Sequence, residues 1–161
     1  MNKILSLIIC LVSLLYTSCR DLPQNGDFSG FWQITAIDYS DGTSLEADHD
    51  HCYGFYRTVA QLIGGYSPTE APDMWRYGEK SGNLAYHDTD FVIEFPTFGQ
   101  WWDMVPWGFP QLPEGVYLHQ PVYAYYTINR LDGDILVMTL DRVTDAVATY
   151  PAGITITCRR Y

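Results

Sequence analysis

The chain has 161 residues and sets 19 Asp and Glu against nine Lys and Arg, a formal charge of −10. That balance repels phosphate backbones and anionic lipid headgroups, so no nucleic-acid partner is expected. The length suits one domain able to bury roughly 70% of its unfolded surface, and an aromatic content of 16% led by Tyr, with Pro and Gly between short apolar runs, points to β structure.

Met1-Asn2-Lys3 supplies a short positive region, and residues 4–16 supply an apolar run of secretory-signal length, too short for a comfortable membrane span. Tyr16-Thr17-Ser18-Cys19 then resembles a bacterial lipobox, in which small residues precede a cysteine that is acylated and becomes the first residue after cleavage. Tyr16 stands where an aliphatic residue is usual. The resemblance implies a lipoprotein signal peptide over residues 1–18 and lipidation at Cys19. Pro23, Asn25 and Gly26 make a short tether, so residues 19–27 link the anchor to a domain over residues 28–161. At roughly 0.8 kcal/mol per buried methylene, more than one acyl chain makes release negligible, so the membrane is an expected partner. In lipoproteins of this kind an aspartate after the cysteine favours the inner membrane. Arg20 follows Cys19 here, which favours the outer membrane of the cell envelope, in a leaflet left open.

Residues 28–38 alternate, with Trp32, Ile34 and Ala36 on one side and Gln33 and Thr35 on the other, as a half-buried strand does. Ser40-Asp41-Gly42-Thr43 ends it in a turn. Further strands are expected at 53–63, 74–79, 83–87, 90–95 and 116–119, punctuated by Gly64-Gly65 and Ser81-Gly82. The clearest stretch is 122–142, a hairpin folded about Leu131-Asp132-Gly133. A three-residue loop with Gly133 left-handed sets Arg130 opposite Asp134, Ile128 opposite Leu136, Tyr126 opposite Met138 and Ala124 opposite Leu140, an apolar face throughout. The other face, with Tyr123 and Tyr125, is mixed. Residues 144–150 suit a helical turn or two, and 154–161 form the last strand. The expected fold is all-β, an antiparallel barrel of about eight to nine strands with no long helix.

Gly30-Phe31-Trp32 on the first strand is similar to the G-x-W signature of lipocalins, whose tryptophan closes the barrel floor beneath an arginine from the last strand. Arg160 is the candidate for that arginine, because Ile154, Ile156 and Cys158 form the apolar face of the last strand and Arg160 continues it. The mature chain as a whole looks like the lipocalin-like lipoproteins of Gram-negative bacteria. The resemblance implies barrel closure by Gly30, Trp32 and Arg160, and a ligand-binding role.

Metal-ligand residue types concentrate at Asp48-His49-Asp50-His51-Cys52, where His49 and His51 share a face of an extended chain. A third ligand would have to come from His87, Asp88 or Asp90, so no metal site is assigned and no cofactor is expected. Cys52 and Cys158 make a candidate disulfide in an exported protein. No nucleophile elbow, zinc-binding helix, P-loop or dinucleotide fingerprint is present, and nothing in the spacing of Asp103 and Glu114 marks a glycosidase pair, so catalysis is not expected. The aromatic stretch 95–109 holds Phe98, Trp101, Trp102 and Trp107. In water so aromatic a loop must either fold over the barrel mouth or expose a stacking surface. With Met104, Tyr123 and Tyr125 as further lining residues, it suggests a non-catalytic, membrane-anchored binding protein for a small apolar or amphipathic molecule or a glycan. The alternative is a filled barrel serving as an envelope accessory that meets another protein.

Overall fold

In the computed structural model the described residues are 25–46, 51–64, 80–97, 101–113 and 115–161, with backbone alone at 101–103. The signal segment, Cys19, most of the tether, His49, Phe98, Glu114 and the strand expected at 74–79 lie outside them. Among the described residues nine strands follow in order: β1 Gly30–Asp38, β2 Ser44–Glu46, β3 Cys52–Tyr56, β4 Val59–Ile63, β5 Lys80–His87, β6 Asp90–Phe95, β7 Val122–Asp132, β8 Ile135–Thr144 and β9 Thr149–Arg160. From β3 onward each pairs antiparallel with the next, and β9 returns to β1, so the sheet closes on itself. β3 and β2 take successive halves of the other edge of β1, giving an eight-stranded antiparallel barrel with one short extra strand. The only helices among the described residues are 3-10 segments at Gly26–Phe28 and Trp101–Trp107. None is long and apolar enough to cross a membrane.

The expected single strand at 53–63 is a hairpin, β3 to β4, turned at Arg57 and Thr58. Its inward residues change from odd numbers, Tyr53 and Phe55, to even ones, Ala60 and Leu62, which a strand without a bulge or turn cannot do. The β7–β8 hairpin also differs from expectation. Asp132 pairs with Ile135, so the loop is two residues, Gly133 and Asp134, with Gly133 at φ 52 as a tight turn requires. Bulges then bring Tyr126 opposite Leu140 rather than Met138, a slip of two positions that keeps both inward, whereas Ala124 meets Val143 and Arg130 turns to the outer face opposite Val137. In β1 a bulge at Thr35 moves the inward position after Ile34 from Ala36 to Ile37, and Thr35 Oγ1 donates to the Thr157 carbonyl at 3.0 Å.

Residues 116–119 pair with no strand; the His119 amide instead donates to Asp145 Oδ2 at 2.8 Å. The helical turns expected at 144–150 are a reverse turn, because Asp145 Oδ1 takes the amides of Val147 at 2.8 Å and Ala148 at 2.7 Å and the chain enters β9 at once. Burial alone would raise the carboxyl pKa, but these three amides outweigh it and hold it below its ordinary value. A depressed carboxylate contributes stability above its unfolded pKa of about 3.9 and loses it as pH falls through the folded value. The expected result is that the amides of His119, Val147 and Ala148 lose hydrogen-exchange protection only as the pH falls below about 4, and that Asp145→Asn removes this dependence. Unchanged protection in the unsubstituted protein at the acid end would refute it.

Cys52 and Cys158 are both thiols, not a bridge. β1 runs between their strands, pairing Gln33 with Cys52 on the outer face and Ile34 with Cys158 on the inner one. Two strand spacings of about 4.8 Å exceed the Cα separation of about 4.4 to 6.8 Å that a disulfide spans, and the side chains point to opposite faces. Burial pushes the Cys158 thiol well up, helped by Cys52, so it stays protonated inside the core.

Candidate functional site

One end of the barrel is closed by the turn that precedes β1. Gly26–Phe28 folds under the strands, and Phe28 stacks on Phe55 at 4.2 Å and Tyr86 at 4.6 Å, with Phe91 tilted at 5.0 Å. Residues 25–27, expected in the tether, therefore belong to this floor: the Asn25 amide donates to the Arg57 carbonyl at 3.0 Å. Trp32 is wholly buried and donates from Nε1 to the Phe28 carbonyl at 2.9 Å. Arg160, paired with Trp32 in the β1–β9 ladder, lies across the indole with its guanidinium carbon 4.3 Å from the ring centroid. The same guanidinium donates to the carbonyls of Ser29 at 3.0 Å, Gly133 at 3.2 Å and Asp27, joining the N-terminal turn to the β7–β8 loop. Gly30 sits at φ 132, and a Cβ there would lie 3.0 Å from Arg160 Nη1, so glycine leaves the arginine its place.

From this floor the interior fills upward with rings. Phe91 stacks on Tyr126 at 4.6 Å, Tyr53 on Phe55 at 5.6 Å, and Phe95 meets Phe109 edge-on at 6.1 Å. At the open end the described part of the aromatic loop enters the barrel rather than roofing a cavity. Met104, Trp107 and Phe109 are buried. The Tyr53 hydroxyl donates to the Trp107 carbonyl at 2.5 Å, and Trp107 Nε1 donates to the Ile63 carbonyl at 3.3 Å. The indole rests edge-on against His51 at 4.7 Å and over Gly64, where a Cβ would come within 2.7 Å of it. Burial raises the pKa of Tyr53, with Tyr126 adding to it, and raises that of Tyr126, so both phenols stay neutral.

Trp107 is thus a core residue of the plug. Tyr123 and Tyr125 are not lining residues either: they alternate with the inward Ala124 and Tyr126 and so face outward, Tyr123 donating to Glu94 at 3.3 Å and Tyr125 lying under Arg142 at 3.9 Å. Trp101 and Trp102 belong to the 3-10 segment at the mouth. His51 sits at that end as well, whereas His87 and Asp90, 3.1 Å apart, mark the floor end of β5 and β6. At about 3.3 Å per residue the length of β5 keeps the two sets on the order of 20 Å apart, too far to share one ion. Among the described residues no group of three or more His, Cys, Asp and Glu could hold a metal.

What the mouth does present is a cleft of about 560 Å³ beside the plug, between the β1–β2 turn, the loop after the 3-10 segment and the start of β9. Leu45, Val105, Pro110 and Ile154 supply apolar wall, and Asp41, Thr43 and Gln111 supply polar atoms. The turn is rigid. Asp41 Oδ1 accepts from the Thr43 amide at 2.8 Å and hydroxyl at 2.6 Å, which hold its carboxyl below the usual range, and the Tyr39 amide donates to the Thr43 carbonyl at 2.8 Å. Burial, then Asp41, raises the Tyr39 phenol, leaving a neutral hydroxyl at the cleft. Sequence reasoning named none of these residues as a site. The turn was legible, but its meeting with the loop some sixty residues later is a product of barrel closure.

A closed antiparallel barrel, floored by a tryptophan under an arginine from the last strand, defines a protein of the lipocalin-like class. Residues 13–104, more than half of the chain, match the family model of the lipocalin-like domain, and the chain belongs to that family. A lipocalin-like protein from Bacteroides uniformis has a similar fold, with a TM-score of 0.51 and 20% identity over 84% of this chain and 100% of that one. An uncharacterized protein from Bacteroides eggerthii aligns with a TM-score of 0.49 and 13% identity over 83% and 98%. No curated protein matches the chain.

Proposed function

We propose that this chain is an exported lipoprotein, held in the bacterial cell envelope through acylated Cys19, that binds a small amphipathic molecule at the barrel mouth without transforming it. The observation that carries the reading is the mouth cleft. Its volume of about 560 Å³ falls within the range of about 300 to 1,000 Å³ usual for small-molecule sites, and it combines apolar wall with a few fixed polar groups. In this reading the binding place is the groove beside the 95–109 loop rather than a cavity beneath it. The lipobox-like Tyr16-Thr17-Ser18-Cys19 supports the anchor, and Arg20 after it favours the outer membrane.

Native mass spectrometry of the protein purified from its own host, followed by extraction, identifies the bound molecule, and a glycan array with Trp101→Ala and Trp102→Ala controls separates a sugar from a lipid. Leu45 is 44% exposed, so Leu45→Glu is expected to leave folding intact. Covering what remains exposed of this side chain is worth roughly 0.7 to 1.3 kcal/mol, so affinity is expected to fall by roughly three- to tenfold. Undiminished affinity in that variant would move the site elsewhere. A second reading, a filled barrel acting as an envelope accessory to another protein, is favoured by the burial of Met104, Trp107 and Phe109 in the interior. Recovery of a stoichiometric partner from mildly solubilised membranes, with no extractable small molecule, would select it.

A further inference from the structure

Seven large apolar or aromatic side chains stand exposed among the described residues, and four of them share one place. Phe31, Tyr56, Val59 and Tyr161 lie on the outer face at the floor end of β1, β3, β4 and β9. Their positions follow from register: Phe31 pairs with Gly54, Tyr56 pairs with Val59, and the Tyr161 amide donates to the Phe31 carbonyl at 3.0 Å. Gly54 has no side chain to lift the rings off the sheet, since a Cβ there would meet Phe31 at 3.1 Å and Tyr56 at 3.3 Å. The two rings pack edge to face at 5.5 Å and form a continuous stripe.

The outward neighbours of this stripe are Gln33, Gln61 and Arg159, with Arg57 at the turn after Tyr56, and on the far side Asn83, which pairs with Val59 and donates to Glu94 at 3.2 Å. Aromatic rings bordered by arginine suit the headgroup layer of a bilayer, where the ring enters the apolar boundary and the cation meets phosphate. Distance makes this surface the one a membrane reaches. Asn25 is bonded to the Arg57 carbonyl, one residue from Tyr56, and it lies six residues after Cys19. Six residues span at most about 20 Å.

We propose, on the basis of the lipidation of Cys19 put forward above, that this stripe rests on the lipid surface that holds the anchor. The barrel then stands floor-down, with its mouth cleft directed away from the membrane. The charge pattern fits a zwitterionic surface, because the rest of the acidic chain is repelled by an anionic one.

The test uses the mature protein purified from its host, with its intact mass recorded, and placed in phosphatidylcholine vesicles containing a small fraction of headgroup spin-labelled lipid. Loss of amide signals is expected around Phe31, Tyr56, Val59 and Tyr161, with signals around Thr43, Gln111 and Ala148 retained. Phe31→Ser combined with Tyr56→Ser changes only outward side chains and is expected to restore the floor-end signals while the protein stays anchored and folded. An intact mass without acyl chains would overturn the anchor and this orientation together. An acylated protein whose losses fall at the mouth, or evenly over the barrel, would overturn the orientation alone. So would floor-end signals that respond to protein concentration and not to labelled lipid, which would assign the stripe to a second copy of the chain.

Discussion

Replacing Trp32 with alanine is expected to destabilise the barrel by about 3 to 5 kcal/mol, the cost of a large buried ring removed from a core that cannot collapse onto the space. The site cannot collapse because its borders are fixed from three directions. Below, Phe28 is held by its stack on Phe55 and Tyr86. Beside it, the β1–β9 ladder fixes the strand spacing. Above the ring, Arg160 is tied to three carbonyls from Asp27, Ser29 and Gly133. The deletion also orphans the Phe28 carbonyl that Nε1 serves.

Arg160→Lys separates the parts of this closure. Lysine keeps the charge but cannot both lie flat on the indole and serve carbonyls from three segments, so a loss of about 1 to 3 kcal/mol is expected. Equilibrium urea unfolding measures both, with the midpoint moving and the slope preserved. A cost below about 1 kcal/mol for Trp32→Ala would show that the floor is not where closure is secured.

Trp107→Ala is the second large effect, and it bears on function as well as stability. Its ring fills the mouth between His51 and Gly64, and its carbonyl takes the Tyr53 hydroxyl inside the core. Truncation is expected to cost about 3 to 5 kcal/mol and to leave a ring-sized space at the mouth bordered by His51, Gly64 and the Ile63 carbonyl. A hydrophobic fluorescent probe is therefore expected to bind the variant saturably, with weaker binding to the unsubstituted chain. Equal probe binding by both, with stability unchanged, would mean that the plug does not occupy the interior as its contacts indicate. Tyr53→Phe is the companion. It leaves the ring in place and removes the hydroxyl, so a smaller loss of about 1 to 3 kcal/mol is expected, with no new probe site.

The fold class and the floor were close to the surface of the sequence. Period-two alternation assigns Trp32 and Ile34 to one face and Ile154, Ile156, Cys158 and Arg160 to one face, and a closed barrel has only one inside. The hairpin shows the limit of that reasoning. A slip of two residues keeps every side chain on its face, so the pattern that buried Tyr126, Met138 and Leu140 carried no information on whether Tyr126 meets Met138 or Leu140. Tyr53, Phe55, Ala60 and Leu62 held a legible signal in their change from odd to even positions, which marks a turn or a bulge inside the expected strand. Tyr123 and Tyr125 lie on the mixed face of the hairpin, and their alternation with the inward Ala124 and Tyr126 sets that face outside the barrel.

By itself the sequence determined the class of fold and the inward faces of its strands up to their bulges and turns, because burial of one face imposes a period on each strand that needs no knowledge of its neighbours. Tertiary structure alone decided what those faces enclose. Whether the 95–109 loop roofs a cavity or fills it depends on the volume left between Phe91, Tyr126 and Phe95, and whether Cys52 meets Cys158 depends on which strand runs between them. Those are relations among segments far apart in the chain, set when β9 closes on β1, and no local pattern encodes them.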